Sequence, residues 1–189
     1  VSAAQAGVPA QAVFVDIRKV SVLGAGADGT WLAQRAASAG YRVTLEDLMP
    51  GKRRVAAKNL DGAQGSERIT YAGSVEEASR EADLIIDFVP DELESKLEIF
   101  SLLDRMAPPH TIFATPTQTL SIADLASCTY RAERCVALRL GIGDDPGSAF
   151  AVEVVQAPRT YPEVVVAVAA FWTSLGAQVT ISIDQAPLP

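Results

Sequence analysis

The chain has 189 residues, with 16 Lys and Arg against 23 Asp and Glu for a formal net charge of −7, and 49% of its residues are hydrophobic. That length suits one domain around one core, and the apolar share argues against intrinsic disorder. The acidic balance disfavours nucleic acid or an anionic membrane as the main partner, because both attract basic faces.

No run approaches the roughly 18–20 apolar residues of a membrane span, and the opening residues lack the basic stretch that begins a signal peptide. Cys128 and Cys135 have neither CxxC spacing nor a nearby histidine, so they form no metal or dithiol motif. A reduced, cytoplasmic protein is the expectation.

Residues 1–17, rich in Ala, Gln and Gly at first, are expected to form a flexible arm before a single domain over 18–189. In chain order, strands are expected at Lys19–Gly24, Arg42–Glu46, Arg68–Tyr71, Asp83–Phe88, Thr111–Ala114, Cys135–Leu140, Ala151–Val155 and Gln178–Ile183. Helices are expected between them at Asp28–Ala39, Lys52–Leu60, Val75–Glu81, Asp91–Met106 and Pro162–Leu175. Val20–Leu23 and Leu84–Ile86 are nearly continuous apolar runs, as strands covered on both faces require. In Asp91–Met106, apolar residues recur at Leu93, Leu97, Phe100, Leu103 and Met106, and Pro108-Pro109 then stops the helix. Alternating strands and helices predict an α/β domain: a Rossmann-type, doubly wound, mostly parallel sheet with helices on both faces.

The sharpest local signal is Gly24-Ala25-Gly26-Ala27-Asp28-Gly29, between a strand and a helix. Gly24 suits a tight turn, Gly26 a close approach of pyrophosphate, and Gly29 close packing of helix on strand, while the helix start offers free N–H donors to phosphate. Asp47 ends the second strand 18 residues after Gly29, where an acid accepts hydrogen bonds from the adenosine ribose and repels a 2′-phosphate. NAD is therefore the expected cofactor, with Gly24, Gly26, Ala27, Asp28, Gly29 and Asp47 holding it. Asp28 is expected to turn to solvent or complement the helix dipole, and Trp31 to pack under neighbouring segments or narrow the site.

Together with Ala39-Gly40-Tyr41, these residues resemble the NAD-binding domain of the 3-hydroxyacyl-CoA dehydrogenases. Three later stretches are similar to that family as well: Asp83–Phe100 (DLIIDFVPDELESKLEIF), Pro108–Ala114 followed by Leu120-Ser121-Ile122, and Ala151–Val155 with the last helix and strand. The resemblance covers about residues 18–185 and implies that Val89, Asp91 and Lys96 line the cofactor site, with Lys96 a cation near the nicotinamide ribose. In the family a His takes the hydroxyl proton, a Glu orients it, and a Ser and an Asn hold the substrate oxygen. The equivalent positions here carry Arg139, Glu153, Gln118 and Pro116.

Arginine stays protonated and cannot act as that base. His110, the single histidine, falls at the start of a strand, away from the carboxyl ends where ligands bind. Glu153 is free to pair with Arg139, and Gln118 or Thr117 to bind a ligand oxygen. Asp144-Asp145-Pro146-Gly147 reads as a turn or as a site for a cation or polar ligand. The segment Met49–Gly65 is shorter than the family's helical hairpin, which contributes to the CoA site. The family's helical C-terminal domain would begin after Ile183, where six residues remain.

Three functions fit this pattern. The first is an NAD(H)-binding domain with impaired dehydrogenase chemistry. The second is a dehydrogenase of another hydroxy or keto acid, with Arg139 clamping a carboxylate and a base from Glu153, Asp144, Asp145 or another subunit. The third is a non-catalytic scaffold. The expected partners are NAD(H), a small acidic or acyl substrate, and a second copy or partner subunit.

Overall fold

A computed structural model describes residues 15–141 and 150–184. Eight strands form one sheet in the order β3-β2-β1-β4-β5-β6-β7-β8. They are β1 (Lys19–Leu23), β2 (Arg42–Glu46), β3 (Ile69–Ala72), β4 (Leu84–Asp87), β5 (Ile112–Pro116), β6 (Cys135–Gly141), β7 (Ala151–Gln156) and β8 (Gln178–Ile183). Every pairing is parallel except β6 with β7. All eight expected strands are present.

The strands alternate their side chains between two cores. Val20, Val22, Val43, Leu45, Leu84, Ile86, Val136, Leu138, Val152 and Val154 meet α1 (Ala27–Ser38), α2 (Pro50–Leu60) and α6 (Pro162–Ser174) on one face. Leu23, Ile85, Phe113, Cys135, Ala137 and Val155 meet α3 (Val75–Ser79), α4 (Leu93–Met106) and α5 (Ile122–Ala126) on the other. This period-two division is what a sheet covered on both faces requires.

The short helix α5 was not among the expected helices, and its five residues display no helical stripe. Its start is set instead by a cap, with the Ser121 hydroxyl accepting from Asp124 N at 3.2 Å. Trp31 lies outside the cofactor loop's path: its ring meets Phe150 edge-on at 5.1 Å, and the Arg35 guanidinium lies 5.2 Å from its centre.

The strand order reverses between β1 and β4, so the crevice of this fold opens at their carboxyl ends. His110 sits at the opposite end of the sheet, with Nε2 3.4 Å from Asp83 Oδ1 at the entry to β4. The acidic turn Asp144–Gly147 lies outside the described residues.

Candidate functional site

At the reversal point lies a cleft of about 380 Å³ bordered by Gly24, Gly26, Ala27, Asp28, Gly29, Asp47, Val89, Asp91, Lys96 and Gln118. Every residue singled out for cofactor binding therefore borders one cavity. Phe88, Pro116, Thr117, Leu140 and Lys52 complete its wall.

The three glycines of the loop do separate work. Gly24 has φ +103°, a left-handed conformation that folds the chain out of β1. A Cβ on Gly29 would lie 1.9 Å from Gly24 O, so only hydrogen allows α1 to settle this close to the strand. Gly26 is different, since a Cβ there would meet no atom of the chain within 4 Å. Its open side faces the cleft at the start of α1, where the first-turn N–H groups lack intrahelical partners. That space and those donors fit a pyrophosphate. Asp28 is exposed in the first turn, with room to face solvent.

Asp47 is buried and held in place. Its Oδ2 accepts from Ala25 N at 3.0 Å and its Oδ1 from Met49 N at 2.9 Å, while Arg53 donates to its backbone carbonyl. The carboxylate thus ties the glycine loop to the end of β2 and keeps lone pairs for ribose hydroxyls. Lys52 Nζ is 3.8 Å from Asp47 Oδ2. Sequence reading passed over Lys52 because a lysine in the first turn of an exposed helix carries no pattern of its own.

Beside Asp47, Glu46 ends β2 on the α3 face, and its buried Oε1 has no hydrogen-bond partner. Burial and the neighbouring Asp47 carboxylate push its pKa up from 4.5 to about 7, against the opposing pull of Arg53.

Lys96 borders the cleft, but its charge is already paired. Its Nζ donates to Asp87 Oδ1 at 2.8 Å, and both side chains are 1% exposed. Burial raises the Asp87 carboxyl and the Lys96 ammonium opposes that rise. The pair places a neutral couple on the cleft floor, so Lys96 acts there as a hydrogen-bond donor more than as a net positive charge. Asp91, on the loop after β4, accepts from Gln118 N at 3.0 Å and so ties that loop to the one after β5.

The equivalents of the family's catalytic residues divide. Gln118 borders the cleft, whereas Arg139 and Glu153 stand just outside it as cross-strand partners on β6 and β7. Arg139 Nη1 meets Glu153 Oε2 at 3.2 Å, the pairing expected from sequence. The Ser182 hydroxyl and the Arg139 guanidinium beside Glu153 hold its carboxyl below the usual range. Thr117 is committed locally, with its backbone N–H bonded to Leu138 O and its hydroxyl accepting from Leu120 N.

A parallel sheet that reverses at a glycine loop, with an anchored acid at the end of β2, defines a Rossmann-type dinucleotide-binding domain. Residues 19–185 match the family model described as "3-hydroxyacyl-CoA dehydrogenase, NAD binding domain", and the chain belongs to that family with NAD as its cofactor.

A probable 3-hydroxybutyryl-CoA dehydrogenase of Bacillus subtilis is 33% identical over 140 residues, covering 66% of this chain and 48% of that protein. The human mitochondrial hydroxyacyl-coenzyme A dehydrogenase is 32% identical over 188 residues, covering 88% of this chain and 59% of the human one. The solved 3-hydroxybutyryl-CoA dehydrogenase of Escherichia coli K12 superposes with a TM-score of 0.81 at 26% identity, over 90% of this chain and 39% of that one. The chain thus spans about half the length of the curated relatives it matches. Among the described residues, no helix is long and apolar enough to cross a membrane.

Proposed function

We propose that the chain holds NAD(H) across the β1–β4 crevice and, by itself, does not oxidise 3-hydroxyacyl-CoA. The open side of Gly26 carries the cofactor half of this reading, since it borders the cleft at the start of α1 and the fold itself does not fill it. The α1 N-terminus would take the pyrophosphate, Asp47 the adenosine ribose, and Val89, Asp91, Lys96 and Gln118 the nicotinamide end. Bound NAD supplies the hydride acceptor. The residues of this chain bind it, orient it and shield one side.

Proton transfer supports the second half. A general base needs a pKa near the working pH and reach to the hydroxyl proton. Arg139 lacks the first property, and Glu153, its ion-pair partner, stands outside the cleft. The span between β2 and β3 holds the single helix α2 and a short 3₁₀ turn, in place of the longer hairpin that the family resemblance associates with CoA. Two free thiols, Cys128 and Cys135, support a reducing compartment such as the cytoplasm.

Calorimetric titration with NADH and NAD, followed by assay with 3-hydroxybutyryl-CoA, tests both halves. The expected result is saturable binding with Kd at or below about 100 μM, roughly −5.5 kcal/mol, and no turnover. Absence of binding at millimolar NADH would overturn the cofactor half. Turnover that disappears in Asp47→Ala would overturn the other.

A further inference from the structure

Between Pro162 and Ile183 the chain carries one charged residue, Glu163, although 21% of all its residues are charged. This stretch holds α6 and β8, the helix and strand at one end of the sheet. Its solvent side is apolar in part. Val166 on α6 is 62% exposed, and Ile181 and Ile183 on β8 are 52% and 63% exposed. A helix and an edge strand with apolar residues on both sides call for a cover.

The two edges of the sheet are built differently. β3 is four residues long and is entered through Glu67 and Arg68, the short, charged form that discourages pairing. β8 is six residues long, Gln-Val-Thr-Ile-Ser-Ile, with no charge, proline or bulge. Gln178 N donates to Phe150 O at 2.9 Å and Asp184 N to Gln156 O at 2.8 Å. Alternation along the strand therefore turns the N–H and C=O groups of Val179, Ile181 and Ile183 away from β7.

We propose that β8 pairs antiparallel with β8 of a second copy of this chain, about a two-fold axis through Ile181 that joins the two sheets. Centred there, Ile181 faces its own counterpart, Val179 faces Ile183 and Thr180 faces Ser182. The outward groups of Val179, Ile181 and Ile183 are then the ones that exchange hydrogen bonds. Side chains match as well. Val179 and Ile181 lie beside Val152 and Val154 of β7 on the α6 face, so the axis sets apolar residues against apolar ones there and hydroxyls against hydroxyls on the other face. Asp184 falls opposite Gln178, so no like charges meet. An axis normal to the sheet also keeps both copies of α6 on one face, side by side across the seam.

Charge and symmetry argue for a second copy. Two chains of net charge −7 repel in most orientations, and the α6–β8 end is where they approach without opposing charges. The same six residues supply both halves of every pair, as an isologous interface requires. An edge about 20 Å long is small against the roughly 1,200–2,000 Å² of a stable interface, so even with α6 the dimer is expected at micromolar concentrations. The β1–β4 crevice lies near the middle of the sheet and stays open.

Sedimentation equilibrium of the whole chain from about 5 to 500 μM tests the pairing, with a reversible dimer of Kd about 10–100 μM expected. Ile181→Lys, which places a charge at the axis, should raise that Kd roughly tenfold or more while circular dichroism shows the fold retained. Thr180→Cys and Ser182→Cys in one chain should give a covalent dimer under mild oxidation, because a non-hydrogen-bonded pair brings Cα atoms to about 4.5 Å. Either substitution alone should cross-link no more than the wild type, which controls for Cys128 and Cys135.

A wild-type chain that stays monomeric at the highest concentration, which would leave this edge to a different partner, overturns the proposal. So does a dimer whose Kd is unchanged in Ile181→Lys, or equal cross-linking by the single and double cysteine variants. If Ile181→Lys fails to fold, the cysteine comparison decides alone.

Discussion

Removing the charge of Glu46 should stabilise the fold above neutral pH and leave it nearly unchanged below pH 5. The carboxyl is buried beside Asp47 with Oε1 unpartnered, and these surroundings raise its pKa from 4.5 to about 7. Between those two values the folded chain binds a proton that the unfolded chain does not, so wild-type stability falls as pH rises through the interval. At 1.36 kcal/mol per pH unit the loss is complete just above pH 7 and amounts to at most about 3 kcal/mol. Glu46→Gln keeps the shape and removes the titration. Its gain at pH 8 should be about 1–3 kcal/mol, because the buried amide is itself incompletely bonded. For a domain of this size that corresponds to roughly 2–10 °C in Tm. Thermal unfolding of both proteins at pH 5, 6, 7 and 8, followed by circular dichroism, measures the difference. The two Tm curves should converge at pH 5 and separate steadily toward pH 8. Parallel curves across that range would show that Glu46 does not titrate there and would refute the reasoning.

Three further outcomes follow from the cleft. Gly29→Ala puts a methyl 1.9 Å from Gly24 O and should lose both stability and NADH binding. Gly26→Ala meets nothing in the chain and should cost at most about 1 kcal/mol of stability in urea unfolding, while NADH affinity falls roughly tenfold or more; equal loss of stability in the two variants would contradict the assigned roles. Asp87→Asn strands a buried ammonium and should cost about 3–5 kcal/mol, whereas Asp87→Leu with Lys96→Met should cost less than Asp87→Asn alone. Urea unfolding of the variants measures this, and a loss below about 1 kcal/mol for Asp87→Asn would mean that the pair is solvated. Asp47→Ser removes the carboxylate proposed to take the ribose while Lys52 remains, so the ratio of NADPH to NADH affinity in competitive titrations should rise roughly tenfold.

Most of the fold was legible because its signals are local. Apolar runs such as Leu84–Ile86 and the spacing of Leu93, Leu97 and Phe100 report strand and helix without tertiary information. The glycine loop was legible for the same reason, since turn, approach and packing each demand glycine at a fixed offset. What stayed hidden depends on pairs distant in sequence. Lys96 read as a cation near the nicotinamide ribose, and nothing in the sequence shows that Asp87, nine residues earlier, would be buried with it. Asp91 read as a cofactor ligand, and its bond to Gln118 N links residues 27 positions apart. Glu46 became notable only when the sheet buried it.

The signals that were easiest to read are not equally strong evidence for a cofactor. Gly29 is required by the contact of α1 with Gly24 O, and Asp47 by its bonds to Ala25 N and Met49 N. A domain that had ceased to bind a dinucleotide would keep both to remain folded. Gly26 answers to no such demand, since a Cβ there would meet no atom of the chain within 4 Å. Among the three glycines of the loop, it is the one whose identity the fold does not dictate. Gly26 retains the form that a pyrophosphate requires, while Arg139 supplies a fixed positive charge where the family resemblance places a proton acceptor. The chain thus retains what NAD binding asks of the loop and lacks the proton acceptor that the resemblance associates with hydride transfer.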